Sequence, residues 1–264
     1  MTDSFVRVER DGPTVTVTMI RGARRNALGL GMLTDLAGAF HDVAATDATG
    51  VILAAEGPAF SAGHDLAEMS GASLADITTL LERCAEVMWA MHEMGQVVIA
   101  RVHGLATAGG CQLVAAADLA VAADTAGFAV PGGRGGWFCT TPMVEVGRSV
   151  PRKRALELAL CGDVVDADTA ERWGLVNRVV PADKLDGAVA DLLNAATRGS
   201  RASRAIGKPA LYRQLDMTLG DAYSYATGVM AGASQIADAQ EGMAAFVERR
   251  DASWTHESAT PPID

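Results

Sequence analysis

The chain has 264 residues, of which 49% are hydrophobic and 20% charged, with a formal net charge of −10 at pH 7. This length and apolar content can bury a substantial core, which excludes a disordered chain. The acidic balance argues against nucleic acid as a partner, and the lack of an apolar run of about eighteen residues argues against a membrane span.

The first half of the chain alternates apolar strand and helix patterns. In order, we predict a strand over Val15 to Met19, a helix over Gly31 to Val43, a strand over Val51 to Ala54, a helix over Leu74 to Met94, and strands over Val97 to Ala100 and Leu119 to Ala122. Strands separated by helices predict an α/β fold with crossovers, and their uneven spacing argues against a regular eight-fold barrel.

Beyond Pro181 the pattern becomes helical. Helices are predicted over Leu185 to Ala196, Ser203 to Leu215, Leu219 to Ala231 and Ile236 to Arg250. We therefore divide the chain into a core domain, residues 1–196, and a helical region, residues 197–264. The apolar helix faces are compatible with covering the site of the same chain or with contacts to a neighbouring one.

The cysteines predict neither disulfides nor a metal centre. Cys84, Cys111, Cys139 and Cys161 are widely spaced, and no Cys-x-x-Cys pair occurs. We expect free thiols, no metal and no prosthetic group. The amino terminus lacks a basic stretch followed by an apolar run, so the sequence favours a soluble, cytoplasmic protein.

Two glycine-containing segments carry the first functional signal. Ala106-Thr107-Ala108-Gly109-Gly110 follows a strand and precedes a helical run, so the N–H groups of both glycines should lie at a helix amino terminus, which attracts negative charge. The glycines are equally compatible with a tight turn alone. The second segment is a turn-rich loop, Gly57-Pro58-Ala59-Phe60-Ser61-Ala62-Gly63-His64-Asp65-Leu66.

Together the two segments resemble paired motifs of the crotonase superfamily, whose members include enoyl-CoA hydratases and isomerases. Three more stretches agree in the same chain order: Arg25 to Leu28, Pro151 to Pro181, and Glu241 to Arg250. Within the superfamily, the wording of Leu105 to Ala108 and Phe138 to Pro142 is similar to the subgroup of enoyl-CoA hydratase domain-containing proteins.

The resemblance implies a fold and a ligand. The fold is the crotonase (ClpP-like) spiral of ββα units with a C-terminal helical region. The ligand is an acyl-CoA thioester, whose coenzyme A is part of the substrate. By resemblance, the backbone N–H groups of His64 and Gly109 form an oxyanion hole for the thioester carbonyl, and such donors contribute about 3–4 kcal/mol each.

The same resemblance suggests residues that hold coenzyme A and an assembly. The candidates are Arg24, Arg25, Ala62, Asp65, Leu66, Phe246 and Arg249. Arg249 stands where relatives offer a basic residue beside an aromatic one, and the Ala62 carbonyl is assigned to the adenine. The arginines are also compatible with an ordinary solvated surface. Relatives form trimers, often paired, so a homotrimer or homohexamer is expected.

Both glutamates of the hydratase motif are absent. Gln112 and Gly132 occupy their positions. A glutamine amide does not titrate near neutral pH, and losing one acid/base group costs about 100- to 10,000-fold in rate. Conventional hydration is therefore not expected. Cys139 and Glu145 are candidate replacements, against the alternatives of an inert packed thiol and a helix-surface carboxylate.

Three functions follow from these observations. The leading hypothesis is an acyl-CoA enzyme of the hydratase-like lyase family, in fatty acid metabolism, with a working oxyanion hole and an altered reaction. The first alternative is a catalytically silent acyl-CoA-binding protein or partner subunit. The second is a true enoyl-CoA hydratase whose acid/base residues have moved.

Overall fold

Two sheets form the centre of the fold. The computed structural model describes residues 4–257, and within them the larger sheet has the order β1 (Val6–Asp11), β2 (Thr14–Met19), β3 (Gly50–Ala55), β5 (Val97–Val102), β7 (Leu119–Ala123) and β10 (Arg178–Val180). The smaller sheet, in the same described part, has the order β4 (Ala59–Ser61), β6 (Leu105–Thr107), β8 (Gly127–Ala129) and β9 (Val165–Asp166). Strands β1 and β9 pair antiparallel with their neighbours, and the other pairs are parallel.

The chain winds between the sheets in repeated ββα units. Strands β3, β5 and β7 join the larger sheet, and the strand that follows each of them joins the smaller one. A helix then leads onward, and these helices are α3 (Leu74–Glu93), α4 (Gly109–Ala116) and α5 (Pro142–Ser149). This path confirms the predicted spiral. It also places the ends of β4 and β6 side by side, because those strands are paired.

The remaining helices complete the layers. They are α1 (Leu30–Ala44), α2 (Leu66–Met69), α6 (Arg152–Cys161), α7 (Ala167–Trp173), α8 (Leu185–Ala196), α9 (Arg201–Gln214), α10 (Leu219–Ala233) and α11 (Ala237–Glu248). The predicted helices and the four predicted strands are present, with ends shifted by at most a few residues. None of the helices in residues 4–257 is long and apolar enough to cross a membrane.

The central strands of the larger sheet, β3, β5 and β7, are buried on both faces. In β5, Val98 and Ala100 belong to the main core with α1 and α3, whereas Val97 and Ile99 face a second apolar cluster that includes Leu193 of α8. Such alternation explains why the strand reads as continuously apolar, since both of its faces need hydrophobic side chains. The site elements therefore rest on a rigid support.

The carboxyl-terminal helices are less well covered. Helix α8 ends at Ala196 and α9 begins at Arg201, and the helices beyond carry exposed apolar side chains, including Leu215, Tyr223 and Met230. The last part of the proposed helical region, residues 258–264, lies outside the described residues. These exposed apolar faces belong to the helices for which the sequence pattern did not distinguish covering the same chain from contacting a neighbouring one.

Candidate functional site

The backbone around His64 turns its N–H away from the neighbouring strand. The Leu28 N–H donates to the Gly63 carbonyl at 2.8 Å, and the Asp65 N–H donates to the Leu28 carbonyl at 3.4 Å. Leu28 and His64 thus form a parallel bridge in which the residues flanking His64 make the bonds. Because successive N–H groups of an extended chain point in opposite directions, the His64 N–H points away from Leu28.

The Gly109 N–H lies at the start of α4. Ala108 turns the chain with φ +48°, and its own N–H donates to the Ala129 carbonyl at 2.9 Å. The first N–H groups of a helix have no acceptor within that helix. Among residues 4–257, neither the Gly109 N–H nor the His64 N–H finds a hydrogen-bond acceptor.

The two loops meet backbone to backbone. A Cβ placed on Gly63 would lie 3.1 Å from the Gly109 nitrogen, and one placed on Gly109 would lie 3.7 Å from the Gly63 Cα. Gly63 also has φ +79°, which favours glycine. This close approach brings the N–H groups of His64 and Gly109 to the same part of the molecule.

A cavity of about 610 Å³ opens at this meeting point, and we call it the first cavity. Ala62, His64 and Leu66 form one wall, and Trp137 and the residues around it form the opposite one. Its volume is typical of small-molecule sites. None of the described residues that line it is Asp or Glu.

Gly132 borders the first cavity, and a side chain does not fit there. A Cβ at this position would overlap the Trp137 carbonyl and the Cys139 Sγ. The same loop is tied by a 3.0 Å hydrogen bond from the Trp137 N–H to the Gly132 carbonyl. The place of the second glutamate is therefore occupied by other atoms of the chain.

Cys139 has the environment of a packing residue. It is half-buried against the main core. Burial raises the pKa of its thiol, only partly offset by a hydrogen bond with the Gly132 backbone. The thiolate, which is the reactive form, is correspondingly disfavoured at neutral pH.

Gln112 faces a different space from Gly132. It is buried one turn along α4 from Gly109, and its Oε1 lies 3.8 Å from the Cys84 Sγ. It lines a second cavity of about 930 Å³, which also contains His92 and Glu145. Thr141 lines both cavities, so they are direct neighbours.

His92 is a residue that sequence reasoning missed. Its Nε2 lies 3.6 Å from the Glu145 Oε2, beyond hydrogen-bond distance, and its ring stacks on Tyr212 with centroids 4.0 Å apart. Burial, together with the positive charge of Lys208, lowers the His92 pKa to about 4. Burial raises the Glu145 pKa. The only sequence signal was a histidine four residues after Met88 on a buried helix face.

A network at Asp118 closes the far side of the second cavity. The carboxylate accepts hydrogen bonds from the Val98 N–H and the Tyr212 hydroxyl, and its Oδ2 lies 2.7 Å from the Lys208 Nζ. Burial raises the Asp118 pKa and lowers the Lys208 pKa, although each charge opposes the shift of the other. The network joins α9 to the sheet and supports a structural role for Asp118.

Most of the candidate residues for coenzyme A lie together beside the first cavity. The Ala62 N–H donates to the Arg25 carbonyl at 2.9 Å, and Arg24 pairs with Asp65 at 3.2 Å. Asp65 also caps α2 through the Ala67 N–H. With Leu66 on the cavity wall, these residues form one continuous surface at its entrance.

Phe246 and Arg249 lie elsewhere on the chain. Phe246 is 86% exposed and borders a separate cavity of about 630 Å³ with Arg198 and Trp254. Arg249 ends α11 with φ +56°. Within one chain, the structure does not bring Phe246 into the first cavity.

The comparisons with known proteins agree with this architecture. The sequence profile of the enoyl-CoA hydratase/isomerase family matches residues 9–257. Rat enoyl-CoA hydratase domain-containing protein 3 is 43% identical over 235 residues, covering 88% of this chain and 78% of the rat protein. The human protein of the same name is 40% identical over 236 residues, covering 89% and 78%.

Solved structures agree as well. An enoyl-CoA hydratase from Mycobacterium smegmatis superposes with a TM-score of 0.92 and 43% identity, covering 96% of this chain and 99% of that one. The crystal structure of human enoyl-CoA hydratase domain-containing protein 3 gives a TM-score of 0.88 and 36% identity, covering 95% and 100%.

One sequence-based expectation is wrong in the light of these relatives. The prediction of a cytoplasmic protein is contradicted by the rat and human relatives, whose names place them in mitochondria. A compartment is set by a targeting segment and not by the composition of the folded domain, so composition was no guide to it. The profile match and the identity to relatives show that the chain belongs to the enoyl-CoA hydratase/isomerase family of the crotonase superfamily.

Proposed function

We propose that this protein binds an acyl-CoA thioester with the carbonyl oxygen between the N–H groups of His64 and Gly109. The observation that carries the proposal is that both N–H groups lack an acceptor within residues 4–257 and that their loops meet at the first cavity. Two N–H donors aimed at one oxygen stabilise negative charge that develops there, as in an enolate or a tetrahedral intermediate.

The reaction that we propose is not hydration by the usual glutamate pair. The described lining of the first cavity contains no carboxylate, Gln112 cannot exchange a proton near neutral pH, and Gly132 has no space for a side chain. A polarised thioester still undergoes proton transfer at the carbon next to the carbonyl, hydrolysis or decarboxylation. The missing pair also favours the alternative of an acyl-CoA-binding protein without turnover.

The coenzyme A portion extends over the surface beside the first cavity. Arg24 and Arg25 offer positive charge to its phosphates there, with Ala62 and Leu66 at the cavity wall. In this proposal Phe246 and Arg249 contact coenzyme A from a second copy of the chain, in a homotrimer or a pair of trimers. The exposure of Phe246, away from the first cavity, supports this division.

Binding calorimetry tests the carbonyl site. Butyryl-CoA is compared with its thioether analogue, in which a CH₂ group replaces the carbonyl. We expect the thioester to bind at least about tenfold more tightly, which corresponds to about 1.4 kcal/mol, since only it accepts the two hydrogen bonds. Equal affinities would contradict the proposal.

Mass spectrometry then separates an enzyme from a silent binder. A panel of saturated, 2-enoyl, 3-hydroxy, 3-keto and dicarboxylic acyl-CoA thioesters is incubated with the protein, and products are sought in each. We expect a product from at least one compound and little hydration of crotonyl-CoA. Binding without any product supports the silent protein, and vigorous hydration of crotonyl-CoA supports a hydratase with relocated residues.

A further inference from the structure

The second cavity adjoins the first. Thr141 lines both cavities, and Gln112 lines the second one. Gln112 follows Gly109 by three residues in α4, so the two lie within one helical turn and are about 4.5 Å apart along the helix axis. In the function proposed above, an acyl group whose carbonyl is held at Gly109 has Gln112 and the second cavity close by.

One of two titratable side chains in the second cavity has a buried nitrogen without a hydrogen-bond partner within residues 4–257. His92 and Glu145 are almost buried, with side chains 11% and 13% exposed. Within residues 4–257, the His92 Nε2 has no hydrogen-bond partner, and the Glu145 carboxylate at 3.6 Å is too far away to serve. A buried polar atom without a partner is costly, and one directed into a cavity points to a ligand group or water that completes it.

We propose, on the basis of the function proposed above, that Glu145 and His92 form the proton-transferring pair of this site. The Glu145 carboxylate takes a proton from the carbon next to the thioester carbonyl. The C–H electron pair becomes the C=C bond of an enolate, whose oxygen is held by the N–H groups of His64 and Gly109. The proton now on Glu145 exchanges with water or returns to carbon.

The electrostatics fit this division of roles. Burial raises the Glu145 pKa, so its carboxylate is a stronger base than an exposed one. His92, whose pKa is lowered to about 4, stays neutral at pH 7 and adds no charge. With its proton on Nε2, it donates to Glu145 when ligand binding shortens the 3.6 Å separation to hydrogen-bond distance. His92 is therefore a positioning residue, and Glu145 is the catalytic base.

The charged and titratable groups around the pair come from α3, α5, α9 and the loops before β7 and after α9, and Glu93 and Arg213 are among those that line the second cavity. Lys208 and Tyr212 approach His92 from α9, and Asp118 binds both of them from the loop before β7. Arg148 of α5 and Asp216, which follows α9, pair with each other at 3.2 Å and oppose each other's effect on Glu145. Tyr212 has a raised pKa, so it stays neutral and presents no competing base.

Proton exchange in D₂O tests the proposal without requiring a net reaction. Butyryl-CoA and 3-ketobutyryl-CoA are incubated with the protein, and deuterium next to the thioester carbonyl is measured by mass spectrometry. We expect exchange above the rate of the free thioester, reduced at least about 100-fold by Glu145→Gln, since removal of a general base has that effect. The control Glu82→Gln changes an exposed carboxylate of α3 that lines neither cavity, and it should leave exchange intact.

Two His92 variants separate positioning from structure. His92→Phe keeps a ring for stacking on Tyr212 but removes the nitrogen. We expect slower exchange in this variant, and the midpoint of its exchange rate against pH should move upward, because Glu145 loses a hydrogen-bond donor. His92→Gln restores an N–H donor and should recover part of the rate and of the midpoint. An unmoved midpoint in both variants would assign His92 a structural role only and overturn its part in the proposal.

The outcomes distinguish this pair from the carbonyl site. If the thioester binds more tightly than the thioether, yet exchange is absent or survives Glu145→Gln, the pair is refuted and the function proposed above stands. If neither compound binds, or both bind equally, both proposals fail. Loss of exchange in Glu145→Gln with unchanged thioester affinity supports the pair.

Discussion

Introducing the two hydratase glutamates tests whether position 132 only lacks a carboxylate or whether the packing of the loop requires glycine there. In the Gln112→Glu, Gly132→Glu double variant, the new Cβ at position 132 overlaps the Trp137 carbonyl and the Cys139 Sγ. The carbonyl is a backbone atom of the same loop, so side-chain rotation cannot relieve the overlap. We therefore expect a displaced loop and no efficient hydration.

The size of the effect follows from overpacking. Forcing extra atoms into a packed site costs about 1–3 kcal/mol. For a chain of this size each kcal/mol lowers the Tm by about 2–4 °C, so Gly132→Glu should lower it by about 2–12 °C. Gly132→Ala adds the Cβ without the carboxylate, and this variant alone should cause most of the decrease in Tm. Calorimetric melting and crotonyl-CoA hydration are the two assays.

Gly135→Glu is the matched control on the same loop. A Cβ there meets nothing within 4 Å, and its backbone does not require glycine. We expect this variant to melt within about 1–2 °C of the natural protein, as exposed substitutions usually change stability by less than about 0.5 kcal/mol. A double glutamate variant that keeps its Tm and hydrates crotonyl-CoA rapidly would refute the steric reasoning.

Three further predictions concern buried titratable groups. Folding lowers the His92 pKa from 6.5 to about 4, so as the pH falls the unfolded chain binds this proton before the folded protein does. The free energy of unfolding should therefore decrease between pH 6.5 and 4, by at most about 3 kcal/mol. Denaturant titrations should show a smaller decrease in His92→Gln. Lys208→Met leaves the buried Asp118 carboxylate without its cation and should destabilise by about 3–5 kcal/mol, with an unchanged denaturant midpoint refuting the network. Iodoacetamide at pH 8 should label exposed Cys161 long before Cys84, whose pKa burial raises to about 12, and peptide mass mapping that shows the reverse order would contradict that burial.

The sequence predicted the framework of the fold well. The strand at Val15 to Met19 and the helix at Leu185 to Ala196 were recognisable because apolar spacing reports which face is buried. The strands of the smaller sheet have two or three residues each, too few for any period to register. Their presence followed from family resemblance and not from the local pattern.

The candidate site was only partly predictable. The glycine motif located the Gly109 loop, and the structure shows why Gly63 accompanies it, since a side chain at Gly63 would crowd Thr107 and Ala108 of that loop. His92 was missed because a histidine on an apolar helix face reads as core. Its proximity to Glu145 depends on how α3 and α5 pack, and spacing along the chain carries no such information.

The carbonyl stretch of a bound thioester tests the central claim most directly. Butyryl-CoA labelled with ¹³C at the thioester carbonyl is examined by infrared difference spectroscopy, free in buffer and bound to the protein. Two N–H donors from His64 and Gly109 should weaken the C=O bond and move its band to lower frequency than in water. A bound thioester whose band is unshifted, or shifted to higher frequency, would contradict the oxyanion hole and everything proposed from it.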